Sequence, residues 1–178
     1  ATFWSVHMPS ANIGAHETFD TDIDCAVLTG STLWLVDVKN YAQGDVIWRT
    51  EVVAPAAGNR PAKTVLRAVD RSTGFYVGGE RKMSQNMKMA TEQFKIRFQE
   101  SGLPYTVRPV VVMMPTDHGM GAIENVDWPG GVPATSLPDF LNMLDSEPPF
   151  EPGGDDAVVA TAILTALLKD ESGTAYRG

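Results

Sequence analysis

The chain has 178 residues, of which 43% are hydrophobic and 20% charged, a balance that supports a buried core and excludes a disordered or low-complexity chain. That length suits one domain, residues 1–178. The single cysteine, Cys25, excludes an internal disulfide and a cysteine-rich zinc site, and points to a reducing, cytoplasmic compartment.

The net charge of −8 is unevenly spread: residues 1–38 hold five acids and no Lys or Arg, residues 39–108 twelve bases and six acids, residues 109–178 two bases and eleven acids. A basic middle between acidic ends is compatible with a phosphate-tracking surface, and equally with a solvated mixed-charge face. No apolar run reaches the roughly 18–20 residues of a bilayer span. The longest, Ala157 to Leu168, contains two threonines. No secretory signal is visible, and no membrane segment is expected within this chain. Because the chain does not begin with Met, that expectation does not extend to an anchor outside it.

Phe3 to His7 reads as a short strand and Pro9 to His16 as a loop. Ile23–Leu28 and Leu33–Lys39 are apolar runs separated by Thr29-Gly30-Ser31-Thr32, which signals a hairpin. Val46–Val53 follows the turn residues Gln43-Gly44-Asp45 as a third strand, and Ala54–Ala62 is a Pro/Gly/Ala loop. Val65–Asp70 and Phe75–Gly78 form a second hairpin around Ser72-Thr73-Gly74. Lys82–Glu100 is the principal helix, with Met83, Met87, Phe94 and Phe98 on one face and Gly102 and Pro104 ending it. Val107–Met114 is a buried strand and Ala122–Trp128 a further one. Ser136–Leu144 is a short helix with Pro138 and Asp139 in its first turn. Pro148–Gly154 is a linker, and Asp155 and Asp156 head a last helix, Ala157–Lys169. The order predicts an α/β protein with a mixed central β-sheet flanked by helices.

The chemistry concentrates on the first hairpin. Asp37 and Lys39 end an apolar strand two residues apart, so both project to one side while Val38 points to the other. A two-residue loop pairs Thr29 with Thr32, and a four-residue loop pairs Leu28 with Leu33. Either register sets Asp24 directly opposite Asp37. Opposed Cβ atoms lie about 4.5–5.5 Å apart, and two carboxylates there repel unless one is protonated or a cation sits between them. A hard divalent ion such as Mg²⁺ relieves that repulsion. It would polarise a phosphoryl oxygen and acidify a water, with Lys39 placed to stabilise developing charge. The competing reading of Asp37 and Lys39 is a surface ion pair at a strand end. Asp22 shares Asp24's face and is a candidate for a second ion or for a turn role. His7, His16 and His118 show no ligand spacing.

Asp22-Ile-Asp24, the apolar strand, and Leu35-Val36-Asp37-Val38-Lys39-Asn40-Tyr41 together resemble the nuclease-related domain (NERD) family of the PD-(D/E)xK nuclease superfamily. Cys25 stands where the family usually has His, and Asp37 where it usually has Glu. The resemblance implies a restriction-endonuclease-like core over about residues 17–145, with a C-terminal helix at 155–171. It implies Mg²⁺ or Mn²⁺ held by Asp24, Asp37 and the Val38 carbonyl, with Lys39 as catalytic base or charge stabiliser. It implies a helical Gln, for which Gln85 is the first choice and Gln93 the second. Relatives open on a helix whose Glu completes the metal site. This chain opens on a strand, which leaves Glu17 in the following loop as the substitute. The implied partner is nucleic acid, DNA first, with Asn40 and Tyr41 as candidate substrate contacts. Apart from the resemblance, Arg81, Lys82 and Lys88, read as lying on the principal helix, are candidates to touch phosphates, or equally a solvated face. Two further readings stand beside hydrolysis of DNA: a non-catalytic nucleic-acid-binding or scaffold module that keeps the fold, and an RNA or nucleotide phosphodiesterase.

Overall fold

A computed structural model describes residues 1–9, 18–41, 44–60, 62–117, 119 and 121–169. It is a mixed α/β structure with two mixed sheets and three helices among the described residues. The five-stranded sheet has the order β1 (Thr2–Pro9), β2 (Thr18–Leu28), β3 (Thr32–Lys39), β7 (Thr106–Met113), β9 (Ala134–Ser136), and the four-stranded sheet the order β6 (Tyr76–Arg81), β5 (Lys63–Asp70), β4 (Val46–Ala54), β8 (Ala122–Ile123). The chain divides into two compact units, Ala1–Asp37 with Asn86–Val110 and Leu141–Gly178, and Val38–Gln85 with Val111–Phe140. No helix of the described residues is long and apolar enough to cross a membrane.

In the first unit β1 (Thr2–Pro9), β2 (Thr18–Leu28) and β3 (Thr32–Lys39) form an antiparallel meander. Thr32 to Val36 are all buried, as a strand covered on both faces requires, and this is why β3 is apolar without alternation. Next to β3 runs β7 (Thr106–Met113). Thr106 N–H donates to Ser31 O and Met114 N–H to Lys39 O, the same interval on both strands, so the two are parallel.

Helix α1 (Asn86–Glu100) packs on β1 and β2 through Met87, Ala90, Thr91, Phe94 and Phe98, a single stripe at helical spacing. Its end is a Schellman turn: Leu103 N–H reaches Phe98 O at 2.9 Å, Gly102 N–H reaches Gln99 O at 3.0 Å, and Gly102 takes φ +68°. Helix α3 (Asp155–Ala166) lays Ala157, Ala160 and Leu164 inward and contacts β1.

The expected last helix ran to Lys169, but it stops at Ala166, and Leu167–Lys169 crosses to β1 instead. There His7 N–H donates to Leu167 O at 2.8 Å and Lys169 N–H to Ser5 O at 2.9 Å. An edge strand offers unpaired backbone groups, and this short segment satisfies part of them. Of the expected loop Pro9–His16, Pro9 ends β1 and the rest lies outside the described residues.

In the second unit β4 (Val46–Ala54), β5 (Lys63–Asp70) and β6 (Tyr76–Arg81) form another antiparallel meander. The two-residue β8 (Ala122–Ile123) joins β4 in parallel, and β9 (Ala134–Ser136) joins the end of β7. The expected strand Ala122–Trp128 thus shortens to two residues, and Glu124 to Asp127 hug β4 through Glu124 N–H to Trp48 O and Asp127 N–H to Thr50 Oγ1, both 2.9 Å. That path delivers Trp128 into the core at 1% exposure. Ser136 ends β9 and caps α2 (Leu137–Asp145): its hydroxyl donates to Asp139 Oδ2 at 2.6 Å and accepts from Asp139 N–H at 3.2 Å.

Candidate functional site

The hairpin that carries the acids is closed tightly. Thr29 N–H donates to Thr32 O at 2.9 Å, and Thr32 N–H donates to the Thr29 hydroxyl at 3.0 Å. Leu28 faces Leu33, and the ladder continues through Cys25 opposite Val36. Continued by one residue, the same register would set Asp24 opposite Asp37, the pairing that both candidate loops predict. Asp24 is exposed, while Asp37 is half-buried with its Oδ2 shut off from solvent.

Between these acids on the sequence, Cys25 points into the core. Burial, and then the charge of Asp24, push its thiol up to about 11, so it is held as an unreactive neutral group.

Asp22 is otherwise engaged. It sits opposite His7 on β1, with His7 Nδ1 at 3.2 Å from its Oδ1 and Lys169 Nζ at 2.7 Å from its Oδ2. Its role is therefore to tie the Leu167–Lys169 crossing to the meander rather than to extend the candidate metal site. The Lys169 partnership had no sequence signal, because it joins residues 147 apart.

In the second unit, Lys39 ends β3 with its carbonyl bonded to Met114 N–H at 2.9 Å and its ammonium 6.0 Å from the Trp128 ring centroid. Tyr41 packs on the buried Trp48 at 5.5 Å between centroids, and the Arg81 guanidinium lies over the Tyr41 ring, also at 5.5 Å. So the structure joins two of the four residues expected to meet substrate, Tyr41 and Arg81. Asn40 and Lys82 are exposed. Neither Trp48 nor Trp128 was singled out from sequence, where a lone Trp reads only as core.

Two helical expectations are corrected. Arg81 is the last residue of β6, and Lys82 to Gln85 precede α1, which starts at Asn86. Gln85 is therefore exposed and off the helix. The second choice, Gln93, does lie on α1, half-buried with its Oε1 enclosed. The early start was suggested by Met83, whose spacing to Met87 matches a helix by coincidence; its sulfur instead meets the Thr50 hydroxyl at 3.9 Å.

Glu17, the proposed third acid, lies outside the described residues. Among the described residues no group of three or more His, Cys, Asp or Glu could hold a metal ion. In the first unit Asp24 on β2 and Asp37 on β3 supply two carboxylates, that of Asp37 with an enclosed oxygen. Such a set fits Mg²⁺, which keeps several waters and takes one or two carboxylates. It does not fit zinc, which takes three or four N or S ligands. No protein-family model, curated protein or solved structure matches the chain.

Proposed function

We propose that this chain is a metal-dependent nuclease, or a nuclease-like domain, that hydrolyses DNA phosphodiester bonds, with the NERD pattern and a restriction-endonuclease-like core. The observation that carries the reading is the β2–β3 register, which pairs Cys25 with Val36 and, continued by one residue, would set Asp24 against Asp37 at the end of a buried strand. The sheet fits the resemblance in outline: after the β1–β3 meander and then β4–β6 come helix α1 and β7, which runs parallel to β3.

In this reading Asp24 and Asp37 hold Mg²⁺ or Mn²⁺, helped by the Val38 carbonyl. The bound ion supplies Lewis acidity at a phosphoryl oxygen and an acidified water. Lys39, two residues beyond Asp37 on β3, stabilises charge on the phosphate or orients the attacking water. Its backbone is held by Met114, which limits its motion to the side chain.

The second reading, a nucleic-acid-binding module without catalysis, is favoured by one observation: no group of three or more possible metal ligands among the described residues. One assay separates them. Plasmid and oligonucleotide DNA are incubated with Mg²⁺ or Mn²⁺ and wild-type, Asp37→Ala or Lys39→Ala protein. The nuclease reading expects cleavage by wild type and a loss of at least about a hundredfold in each variant. Cleavage that persists in both variants sinks the site, and salt-sensitive binding without any cleavage favours the module.

A further inference from the structure

Among the described residues Arg81 is a cation without a counter-charge. It is half-buried, its Nε is enclosed with no hydrogen-bond partner, and among the described residues no carboxylate forms an ion pair with it. Its neighbours in the second unit are treated differently. Arg67 is held by Glu51 at 3.2 Å and Glu80 at 2.7 Å, and Arg71 by Asp45 at 3.1 Å. Removing a guanidinium from water without an anion costs free energy, so the arrangement persists only if something offsets it.

The offset visible in the structure is aromatic. Arg81 lies over Tyr41, and Tyr41 leans on Trp48, whose own exposure is 1%. The Tyr41 ring, tilted by 43° against Trp48, and the guanidinium over it restrain one another, which lowers the cost of holding a planar fork of donors in place. Planar forks of that kind suit a phosphate oxygen pair. The Tyr41 ring already has Trp48 and Arg81 as neighbours, so the stack offers a charged fork rather than an open stacking surface for a base. Tyr41 follows Lys39 by two residues, so the stack lies close along the chain to the lysine that the nuclease reading uses.

The geometry points to Arg81 as a phosphate-binding residue that takes one non-scissile phosphodiester of a nucleic-acid strand without reading its sequence, with Tyr41 as its positioning residue. This rests on the proposed nuclease or nuclease-like reading and names how that site holds its substrate. A phosphate contact of this kind contributes to every sequence alike and carries a salt dependence of about 0.9 in log–log slope for duplex DNA.

The test is binding in EDTA, where cleavage does not interfere, read by fluorescence anisotropy on short labelled duplexes of unrelated sequence over a range of salt. Arg81→Gln is expected to lower affinity about tenfold on every duplex and to flatten the salt slope by about one. Arg81→Lys, which keeps the charge, is expected to keep the slope and lose affinity through the missing fork. Tyr41→Leu is expected to weaken binding with every charge intact. Circular dichroism establishes that each variant is folded, and Arg81→Lys serves if the Gln variant is not.

Unchanged affinity and slope in a folded Arg81→Gln protein would overturn the assignment, as would a loss confined to one sequence. A wild-type protein that binds with this Arg81 dependence but does not cut with Mg²⁺ sinks hydrolysis and leaves the phosphate contact standing. Cleavage with no effect of Arg81 on binding does the reverse.

Discussion

Gly30 sits at the tip of the β2–β3 hairpin, where the linker after α2 crosses it. Its N–H donates to Pro148 O at 2.8 Å, and a Cβ built on it would lie 2.6 Å from Pro149 O and 3.0 Å from Pro148 Cβ. Contacts that short with backbone atoms cannot be relieved by a side-chain rotation, so Gly30→Ala must push the linker off the loop. Overpacking of this kind costs about 1–3 kcal/mol, and the lost backbone bond about 1 more. The linker also carries Glu147, whose Oε2 accepts from the hydroxyls of Thr32 at 2.9 Å and Ser31 at 3.2 Å, so displacement loosens those bonds as well. At about 2–4 °C per kcal/mol for a chain of this size, the melting temperature should fall by roughly 5–15 °C. Thermal unfolding followed by circular dichroism reads this directly, with Ser31→Ala as the control that removes one exposed hydroxyl bond and shifts Tm by at most about 2 °C. A Gly30→Ala protein that melts within 2 °C of wild type, on that same scale, would refute the close packing of linker on loop.

Asp70 closes the β5–β6 turn by accepting from Ser72 and Thr73 hydroxyls and amides, which hold its carboxyl down at about 2. Because the folded value lies below the unfolded one near 3.9, its contribution is full above pH about 4 and is lost as pH falls towards 2. Urea titrations of wild type and Asp70→Ala should therefore differ at pH 6 and converge by pH 2, and a difference that does not change with pH would contradict the turn's role. Cys25, buried with its thiol raised to about 11, should resist a thiol reagent at pH 8 in the native protein and react fully in urea. Rapid native labelling would show that the β2 core face is open.

The first hairpin was legible because three signals agreed there: strand-forming residues on both sides, turn residues between them, and a parity that gave the same Asp24–Asp37 pairing for either loop length. β3's unbroken apolar run agrees with its burial from Thr32 to Val36. Other elements were illegible for identifiable reasons. β9 is three residues long, too short for any period to show, and its pairing with β7 joins distant parts of the chain. Leu167 and Leu168 read equally well as a helix end or a strand, and only β1's need for a neighbour decides between them. The start of α1 was placed four residues early because Met83 imitates the helical stripe. Of the candidate residues, the strand positions of Asp24, Asp37 and Lys39 could be read in advance, since they sit on one strand and its partner. The Trp48–Tyr41–Arg81 stack could not, because it is made by β4, the end of β3 and β6 meeting in space.

The crossing of Leu167–Lys169 onto β1 has a consequence for how the chain is made. β1 leaves the ribosome well before the segment that pairs with Ser5 to His7. The first unit gathers three separate stretches, whereas the second is complete once Phe140 has emerged. Contacts that distant in sequence are slow to form. During synthesis the Tyr41–Arg81 half therefore has all of its parts while β1 still waits for its closing neighbour. A chain stalled before Leu167 presents that strand's bare edge to other chains.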